Sequence, residues 1–510
     1  MVNPPEPFPD LDWSPERARA LGDAALDMYE EWLRRLPDLP VDRGRSAGEV
    51  SEAVHLEVPA EGMADEELLD YLRKLVFDYS MYPGHPGFLA YIVGGGTVPG
   101  AIADLVAAGI NQNLGGWRLS PGATEIELHL VRFFADRFGL PDEAGGLVVS
   151  GGSIANFIGL KAARDAKASA NARTVGLSSG PQLVAYTSSE VHFATTRAAD
   201  MIGIGTDHVR LIGVDDQYRI DLAELGRRIE EDLAAGLQPF CIVASLGTVA
   251  TGAIDPLEPI ADLCERYGLW MHVDAAYGGP IVLADELRHL ASGVERADSI
   301  AFDPHKWLYT PQSGGCVLVR DVAHLAESFS YDAGVIYENK ELTGRGIDLS
   351  LLGPQLSRSF WALKVWVSLL AHGSETYGRR IAHDVALTRY LAERIEASDC
   401  FEIAAPVGLS ICCFRYVPPN LPEAEGRRGV GSATPQNREE YLDLLNERIM
   451  AAVQMDGRVY YSNAILGDRF VLRTCIVNFR TEAVHLDQVL EVTEELGAKL
   501  DSELRPSHLA

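Results

Sequence analysis

Apolar side chains first recur at helical spacing near the start of the chain. Leu21, Ala24, Ala25, Met28, Tyr29, Trp32 and Leu33 follow Ser14-Pro15, an N-cap residue with proline at the first helical position. This predicts a helix over 14–36 whose apolar stripe needs a partner surface, either the main domain or a second subunit. Two more helices are expected within 47–80, starting near Ser46 and Ala64-Asp65, and Pro83-Gly-His-Pro-Gly-Phe88 breaks the pattern. From about 120 to 320 short apolar runs alternate with helical periods. Strands fit 146–149, 182–186, 209–213, 240–244, 268–273, 299–302 and 315–319, and helices fit 122–138, 153–170, 191–202 and 256–267. Such alternation predicts an α/β fold with a mostly parallel sheet between helices. Ligands of such sheets bind beyond the carboxyl ends of the strands.

After about 380 the pattern changes. A helix at 381–397, a strand at 409–414, a Pro/Gly/Arg-rich loop or insertion at 417–437 and a helix at 438–454 are expected in turn. Strands at 459–462 and 470–475, a last helix at 486–501 and a frayed tail from Ser502 to Ala510 complete a small α+β domain. The organisation expected is an N-terminal helical segment (1–85), a large α/β domain (86–380) and this C-terminal domain (381–510).

Composition narrows the class. With 510 residues, 47% hydrophobic and 23% charged, the chain can bury a large core without disulfide or metal staples. A net charge of −29 argues against nucleic-acid or anionic-membrane partners, which need a basic face. The seven cysteines are scattered, with no Cys-x-x-Cys pair, and read as small buried residues in a reducing compartment; no metal site is expected. No basic and apolar leader and no long apolar run are present, so the expectation is a soluble cytoplasmic protein.

Four short runs carry candidate chemistry. Asp303-Pro-His-Lys-Trp-Leu308 follows the strand expected at 299–302; alone, Lys306 would be one more solvated amine. His272-Val-Asp-Ala-Ala-Tyr-Gly278 ends a strand in an acid; alone, Asp274 would read as a turn cap, but the alanines beside it leave room for a flat ring. Ser150-Gly-Gly-Ser-Ile-Ala-Asn156 joins a strand to a helix, and its glycines, Ser153 and first-turn N–H groups suit a phosphate. It has neither the Lys-Ser/Thr of a P-loop nor the Gly-x-Gly-x-x-Gly of a dinucleotide fold. His192, in Ser188-Ser-Glu-Val-His192, would alone be an ordinary histidine. Together they provide a phosphate cup, an aromatic plate, an acid for a ring nitrogen and an amine nucleophile. These are the needs of pyridoxal 5′-phosphate (PLP), whose protonated ring accepts electrons.

The sequence resembles the group II PLP-dependent amino-acid decarboxylases, the aromatic-L-amino-acid and glutamate decarboxylase family, over nearly its whole length. The runs that carry the resemblance include His85-Pro-Gly-Phe, Trp117-Arg-Leu-Ser-Pro-Gly-Ala-Thr-Glu, Leu246-Gly-Thr, Ala297-Asp-Ser and Arg358-Ser-Phe-Trp-Ala-Leu-Lys-Val-Trp, with the Asp274 and Lys306 runs already quoted. It implies a fold type I, PLP-dependent transferase-like architecture and a homodimer whose N-terminal helices pack on the other subunit. Lys306 would bind the cofactor aldehyde, Asp274 would pair with the ring nitrogen, His192 would stack on the ring and Ala276 would lie on its opposite face. Gly151, Gly152 and Ser153 would hold the phosphate with help from His305. Thr248 would lie in the turn facing the cofactor, although Val249 competes for that alignment.

The activity implied is decarboxylation of an L-amino acid to the amine and carbon dioxide, with a loop tyrosine returning the proton. The loop candidate is 330–338: gap-free alignment puts Val335 at the tyrosine position, Tyr331 and Tyr337 lie beside it, and Tyr337 is taken as the donor. An apolar residue there would instead point to the plant and insect aldehyde synthases, which decarboxylate and oxidise. Substrate contacts are expected from Tyr91 and Ile92, and from Asn113 of the partner subunit, in a pocket with less aromatic wall than is usual. A bulky or aromatic L-amino acid follows. Another carbon–carbon lyase on the same scaffold is a further alternative. A non-catalytic homologue is disfavoured by the presence of Lys306, Asp274 and His192.

Overall fold

The computed structural model describes residues 11–331, 346–422, 435 and 437–509. Strands β1 (Gly145–Val149), β2 (Leu183–Ser188), β3 (Val209–Ile212), β4 (Gln238–Ser245), β5 (Trp270–Asp274), β6 (Ser299–Phe302) and β7 (Gly315–Val319) form one sheet in the order β1-β7-β6-β5-β4-β2-β3. β7 runs antiparallel to β1 and β6, and every other pair is parallel. All strands but β7 therefore end on one edge, and β7 begins there.

Buried residues feed both faces of this sheet in alternation. Val148, Ile242, Val273 and Leu318 pack toward helices Pro121–Arg137 and Leu257–Tyr267. Leu147, Val243, Ala301 and Val317 pack toward helices Gly152–Lys167 and Ala194–Met201. A second, antiparallel sheet contains β8 (Phe401–Ile403), β9 (Ile411–Tyr416), β10 (Ser462–Leu466) and β11 (Arg469–Cys475) in the order β10-β11-β9-β8. Leu445, Ile449 and Val489 from helices Arg438–Asp456 and Ala483–Leu504 cover it over Phe414 and Leu472. The expected α/β class and small α+β unit are both present.

Several elements differ from expectation. The stretch 459–462 is not a sheet strand up to Ser462, where β10 begins; Tyr460 instead exchanges backbone bonds with Gly87 (2.9 Å) and Leu89 (2.7 Å), so the segment after the Pro-Gly break docks on the C-terminal unit. The tail is not frayed. Its helix runs to Leu504, Arg505 pairs with Asp501 at 2.6 Å, and Leu509 is buried. The helix expected at 381–397 starts earlier, at Ser374. Helices Val98–Ile110, Leu222–Ala234 and Ala362–His372 add to those the sequence pattern predicts. Most of the 417–437 stretch lies outside the described residues.

The Arg358-Ser-Phe-Trp run has a structural role. The buried Arg358 pairs with Glu127 and donates to the Val148 carbonyl at 2.9 Å, while its own carbonyl accepts from Leu114 N–H. Glu127 also accepts from Val148 N–H at 2.9 Å. A buried pair of this kind is costly to break from one side, by about 3–5 kcal/mol. It pins β1 one residue before the turn that leads into the site. All seven cysteines are unpaired, six of them buried, and burial pushes thiols such as Cys413 up to about 12. Among the described residues no helix is long and apolar enough to cross a membrane.

Candidate active site

The shared sheet edge collects the chemistry. Turns after β1 (Ser150 to Gly152), β2 (Ser189 to Phe193), β5 (Ala275 to Tyr277) and β6 (Asp303 to Trp307) leave the same side, joined by Gln312 and Ser313 just before β7. Between them lies a cavity of about 450 Å³ lined by Gly151, Gly152, Ser153, His192, Asp274, Ala276, His305 and Lys306. Residues separated by more than 150 positions are thus brought together by strand order alone.

The turn after β1 opens helix Gly152–Lys167: Ile154 and Ala155 N–H donate to the Gly151 carbonyl at 3.0 and 3.1 Å, and Gly152 and Ser153, whose N–H groups have no intrahelical acceptor, line the cavity. Gly152 has to be glycine. A Cβ there would stand 2.6 Å from Asp303 Oδ2. Gly315, the first residue of β7, is equally tight: its Cβ would lie 2.5 Å from the Gly151 carbonyl carbon. His305 is oriented by Nδ1 against the Gly314 carbonyl at 2.6 Å, which leaves Nε2 toward Asp303 at 4.0 Å.

Asp274 ends β5 and is buried. Its Oδ1 accepts from Ala276 N–H at 3.1 Å and its Oδ2 from Asn156 Nδ2 at 3.3 Å. Burial raises its carboxyl above the ordinary range, while Lys306, the Ala276 N–H and His192 draw it back. Behind it runs a chain of neutral donors. Trp270 Nε1–H donates to Ser299 (2.8 Å), Ser299 to His272 Nδ1 (2.7 Å), and His272 Nε2–H to Asn156 Oδ1 (2.7 Å). Burial depresses His272 to about 3, so this ring stays neutral and fixes the Asn156 amide with its N–H groups toward Asp274 and the Gly152 carbonyl. Asn156 and His272 stand in the runs quoted from the sequence, but only the strand order gives them a role.

His192 Nδ1 accepts from Ala194 N–H at 3.1 Å, which places the ring proton on Nε2. Burial lowers its pKa; Asp274 opposes this, and Lys306 reinforces it. Lys306 sits in a turn, with Nζ 3.0 Å from Asp303 Oδ2. The residues after it hold that turn: Trp307 Nε1 (3.0 Å) and Tyr309 Oη (2.6 Å) both donate to Asp384 Oδ2, and Trp307 stacks on Tyr277 at 5.0 Å.

Other expected residues do not reach this cavity within one chain. Thr248 is buried with its hydroxyl against Thr251 (3.1 Å) and accepting from Ala253 N–H (3.1 Å), closing its own turn. Tyr91 is exposed, in a left-handed conformation, with its carbonyl held by Arg473 at 3.0 Å. Ile92 is packed in the main core. Asn113 Oδ1 accepts from the N–H groups of Gly115 (2.9 Å) and Arg358 (3.0 Å). Tyr337 and Val335 lie outside the described residues, and Tyr331 is exposed, with Arg173 over its ring at 4.4 Å.

A lysine amine, a buried acid, an oriented histidine and a Gly-Gly-Ser helix start meet on one α/β sheet edge, a lining that suits an aldehyde cofactor bearing a phosphate. The chain belongs to the pyridoxal-dependent decarboxylase family, whose conserved-domain profile matches residues 48–417. It is 31% identical over 491 residues to an aromatic-L-amino-acid decarboxylase of Bacillus atrophaeus, covering 96% of this chain and 98% of that one. It is 33% identical over 375 residues to the cysteine sulfinic acid decarboxylase of Mus musculus, covering 73% of this chain and 75% of that one. The solved structure of Oryza sativa TDC with PLP and tryptamine matches it with a TM-score of 0.87 at 26% identity, covering 96% of this chain and 99% of that one. The protein is a PLP-dependent amino-acid decarboxylase. The residues present fit that cofactor: the helix start offers N–H donors, Asp274 accepts from two donors, and the Lys306 amine lines the same cavity.

Proposed function

We propose that this chain decarboxylates a bulky or aromatic L-amino acid to its amine and carbon dioxide, and that it works as a homodimer. The observation that carries the reading is the convergence of Lys306, Asp274, His192 and the Gly151-Gly152-Ser153 cradle on one cavity. The relatives named for aromatic substrates, and the Oryza sativa structure with its tryptamine, support the substrate class.

Bound PLP supplies a ring that takes up the electron pair left when carbon dioxide departs. The protein's own groups do the rest. Lys306 would provide the amine that anchors the aldehyde. Gly151, Gly152, Ser153 and His305 would hold the phosphate, and Asp274 would keep negative charge at the ring nitrogen. His192, with its proton on Nε2, would stack on the ring, and Ala276 would lie against the opposite side. Holding the scissile bond in one orientation is a proximity effect for which aligned systems gain about 7–11 kcal/mol. Tyr337 is our candidate for returning the proton to the α-carbon.

Purified protein supplied with L-tryptophan, L-tyrosine, L-phenylalanine, L-glutamate and L-cysteine sulfinate is expected to release amine and carbon dioxide in equal amounts from an aromatic substrate. Peroxide and aldehyde formed in step with carbon dioxide would replace this reading with decarboxylating oxidation. Turnover of the acidic substrates alone would move the substrate class.

The dimer reading is supported by helix Val98–Ile110, whose one charged residue, Asp104, is paired with Lys364, and which leaves Val98, Ile102, Leu105, Val106 and Ile110 exposed. Helix Pro15–Arg35 likewise buries no residue in this chain. Covering each of these half-exposed aliphatic side chains contributes part of the about 1.5–3 kcal/mol of a full burial. Tyr91 and Ile92 of one subunit and Asn113 of the other would then complete the substrate pocket. Sedimentation should give about twice the 55.5 kDa chain mass, and Leu105→Asp should drive the protein toward the monomer. A wild-type monomer at micromolar concentration would refute the dimer.

A further inference from the structure

Burial alone would favour the neutral acid at Asp274, the residue expected to pair with the ring nitrogen. Lys306 and His192 oppose this from across the cavity, and two donors oppose it by direct contact. Oδ1 accepts from Ala276 N–H at 3.1 Å and Oδ2 from Asn156 Nδ2 at 3.3 Å. A protonated carboxyl needs an acceptor for its own hydrogen, and neither of these partners can be one while the Asn156 amide keeps its orientation. The lone pairs left to Asp274 then serve a donor arriving from the cavity.

Side chains outside the cavity fix that orientation. The Asn156 amide nitrogen faces two acceptors, Asp274 and the Gly152 carbonyl at 2.9 Å, so the amide oxygen faces His272 Nε2 at 2.7 Å. His272, neutral by burial, therefore carries its proton on Nε2 and accepts on Nδ1, where Ser299 Oγ stands at 2.7 Å. Ser299 is left to donate to that ring because Trp270 Nε1, which can only donate, fills its acceptor side at 2.8 Å. The row begins at a donor-only indole and ends at a carboxylate, so it runs in one direction. Trp270, Ser299, His272 and Asn156 are all buried away from solvent. The cradle helix carries a glycine where it crosses the row: a Cβ on Gly159 would stand 2.6 Å from His272 Cε1 and 3.2 Å from Ser299 Oγ.

We propose that Trp270, Ser299 and His272 are positioning residues: through Asn156 they keep donors against Asp274, and so set how strongly the site prefers a ring with a protonated nitrogen. No covalent bond is made or broken along the row, and none of its groups changes its proton. The proposal rests on the PLP reading above, and its probes separate the two. They are pyridoxamine 5′-phosphate, which has no aldehyde for Lys306, and its 1-deaza analogue, in which a C–H replaces the ring nitrogen.

Titrating the full-length apoprotein with each probe gives a ratio of Kd values that reports on the nitrogen alone. The wild type is expected to prefer the nitrogen-containing ring by at least about tenfold, the scale of one hydrogen bond to a charged group. Asn156→Ala and His272→Leu should each shrink this preference by about three- to tenfold. His272→Gln, whose amide can donate to Asn156 and accept from Ser299, should recover most of it. Damage to packing alone would weaken both probes equally, so an unchanged ratio in Asn156→Ala and His272→Leu would overturn the proposal. A wild type that binds both probes equally would overturn it too, while leaving the cofactor reading in place. Neutron diffraction from the deuterated wild-type apoprotein decides even if the variants misfold: deuterium is expected on His272 Nε2 and on Ser299 Oγ, and deuterium on His272 Nδ1 would refute the row's direction. Failure of the wild type to bind PLP and both probes would overturn the cofactor reading as well.

Discussion

Lys306→Ala is expected to leave a folded protein that stays colourless after incubation with PLP and removal of free vitamer. Borohydride should fix no cofactor, and turnover should fall by at least about three orders of magnitude, some 4 kcal/mol of barrier. The fold should survive because the turn does not hang on this side chain. Trp307 and Tyr309, on either side of the next turn, donate to the Asp384 carboxylate on helix Ser374–Glu396, and Trp307 stacks on Tyr277. One local cost is expected: truncation leaves Asp303 without its partner at 3.0 Å. Lys306→Arg separates the two effects, since it keeps a cation beside Asp303 but has no amine able to form the imine. It should be as colourless as the alanine variant and melt closer to wild type. A visible band that persists in Lys306→Ala would place the anchor on another lysine.

Why some of this is legible in the sequence and some is not follows from the range of the interactions. Strands buried on both faces read as short apolar runs, and each chemical motif sits in the turn directly after one, so the Gly151-Gly152, His192, Asp274 and Lys306 turns can be placed at strand ends. The reversal of β7 between β1 and β6 cannot, because pairing partners leave no local mark. Gly315 and Asp303 owe their closeness to that reversal. The Asn156–His272–Ser299 chain likewise spans three separate elements. Helix Val98–Ile110 escapes a periodicity reading because a single charged residue, Asp104, among apolar and small ones marks no polar face. The segment 459–462 reads as a strand and is extended, yet Tyr460 pairs with Gly87 and Leu89 from the far end of the chain. The buried Leu509 at the end of a polar tail shows the same limit.

Asp274→Asn is expected to lower turnover by roughly a hundred- to a thousand-fold, the range seen when one preorganised electrostatic partner is removed from a site, with a smaller effect on substrate affinity. The carboxylate accepts from two directions, Ala276 N–H and Asn156 Nδ2, and the second donor is locked by the neutral His272 behind it. An asparagine can satisfy only one of them with its oxygen and must turn its own N–H groups on the other, so a modest loss of stability accompanies the change. The larger effect is electrostatic. Burial already makes the Asp274 charge expensive in the free protein, and a cationic ring nitrogen is the partner that offsets that cost. A neutral amide provides no such pairing, so the nitrogen loses its proton and the ring its capacity to accept the electron pair. A cofactor analogue methylated on the ring nitrogen carries its charge without any acid. In Asp274→Ala, which leaves room for the methyl group, it should recover part of the lost turnover, a rescue that damage to packing alone would not allow. Near wild-type turnover in Asp274→Asn would remove this residue from the mechanism and return it to the role of a strand cap.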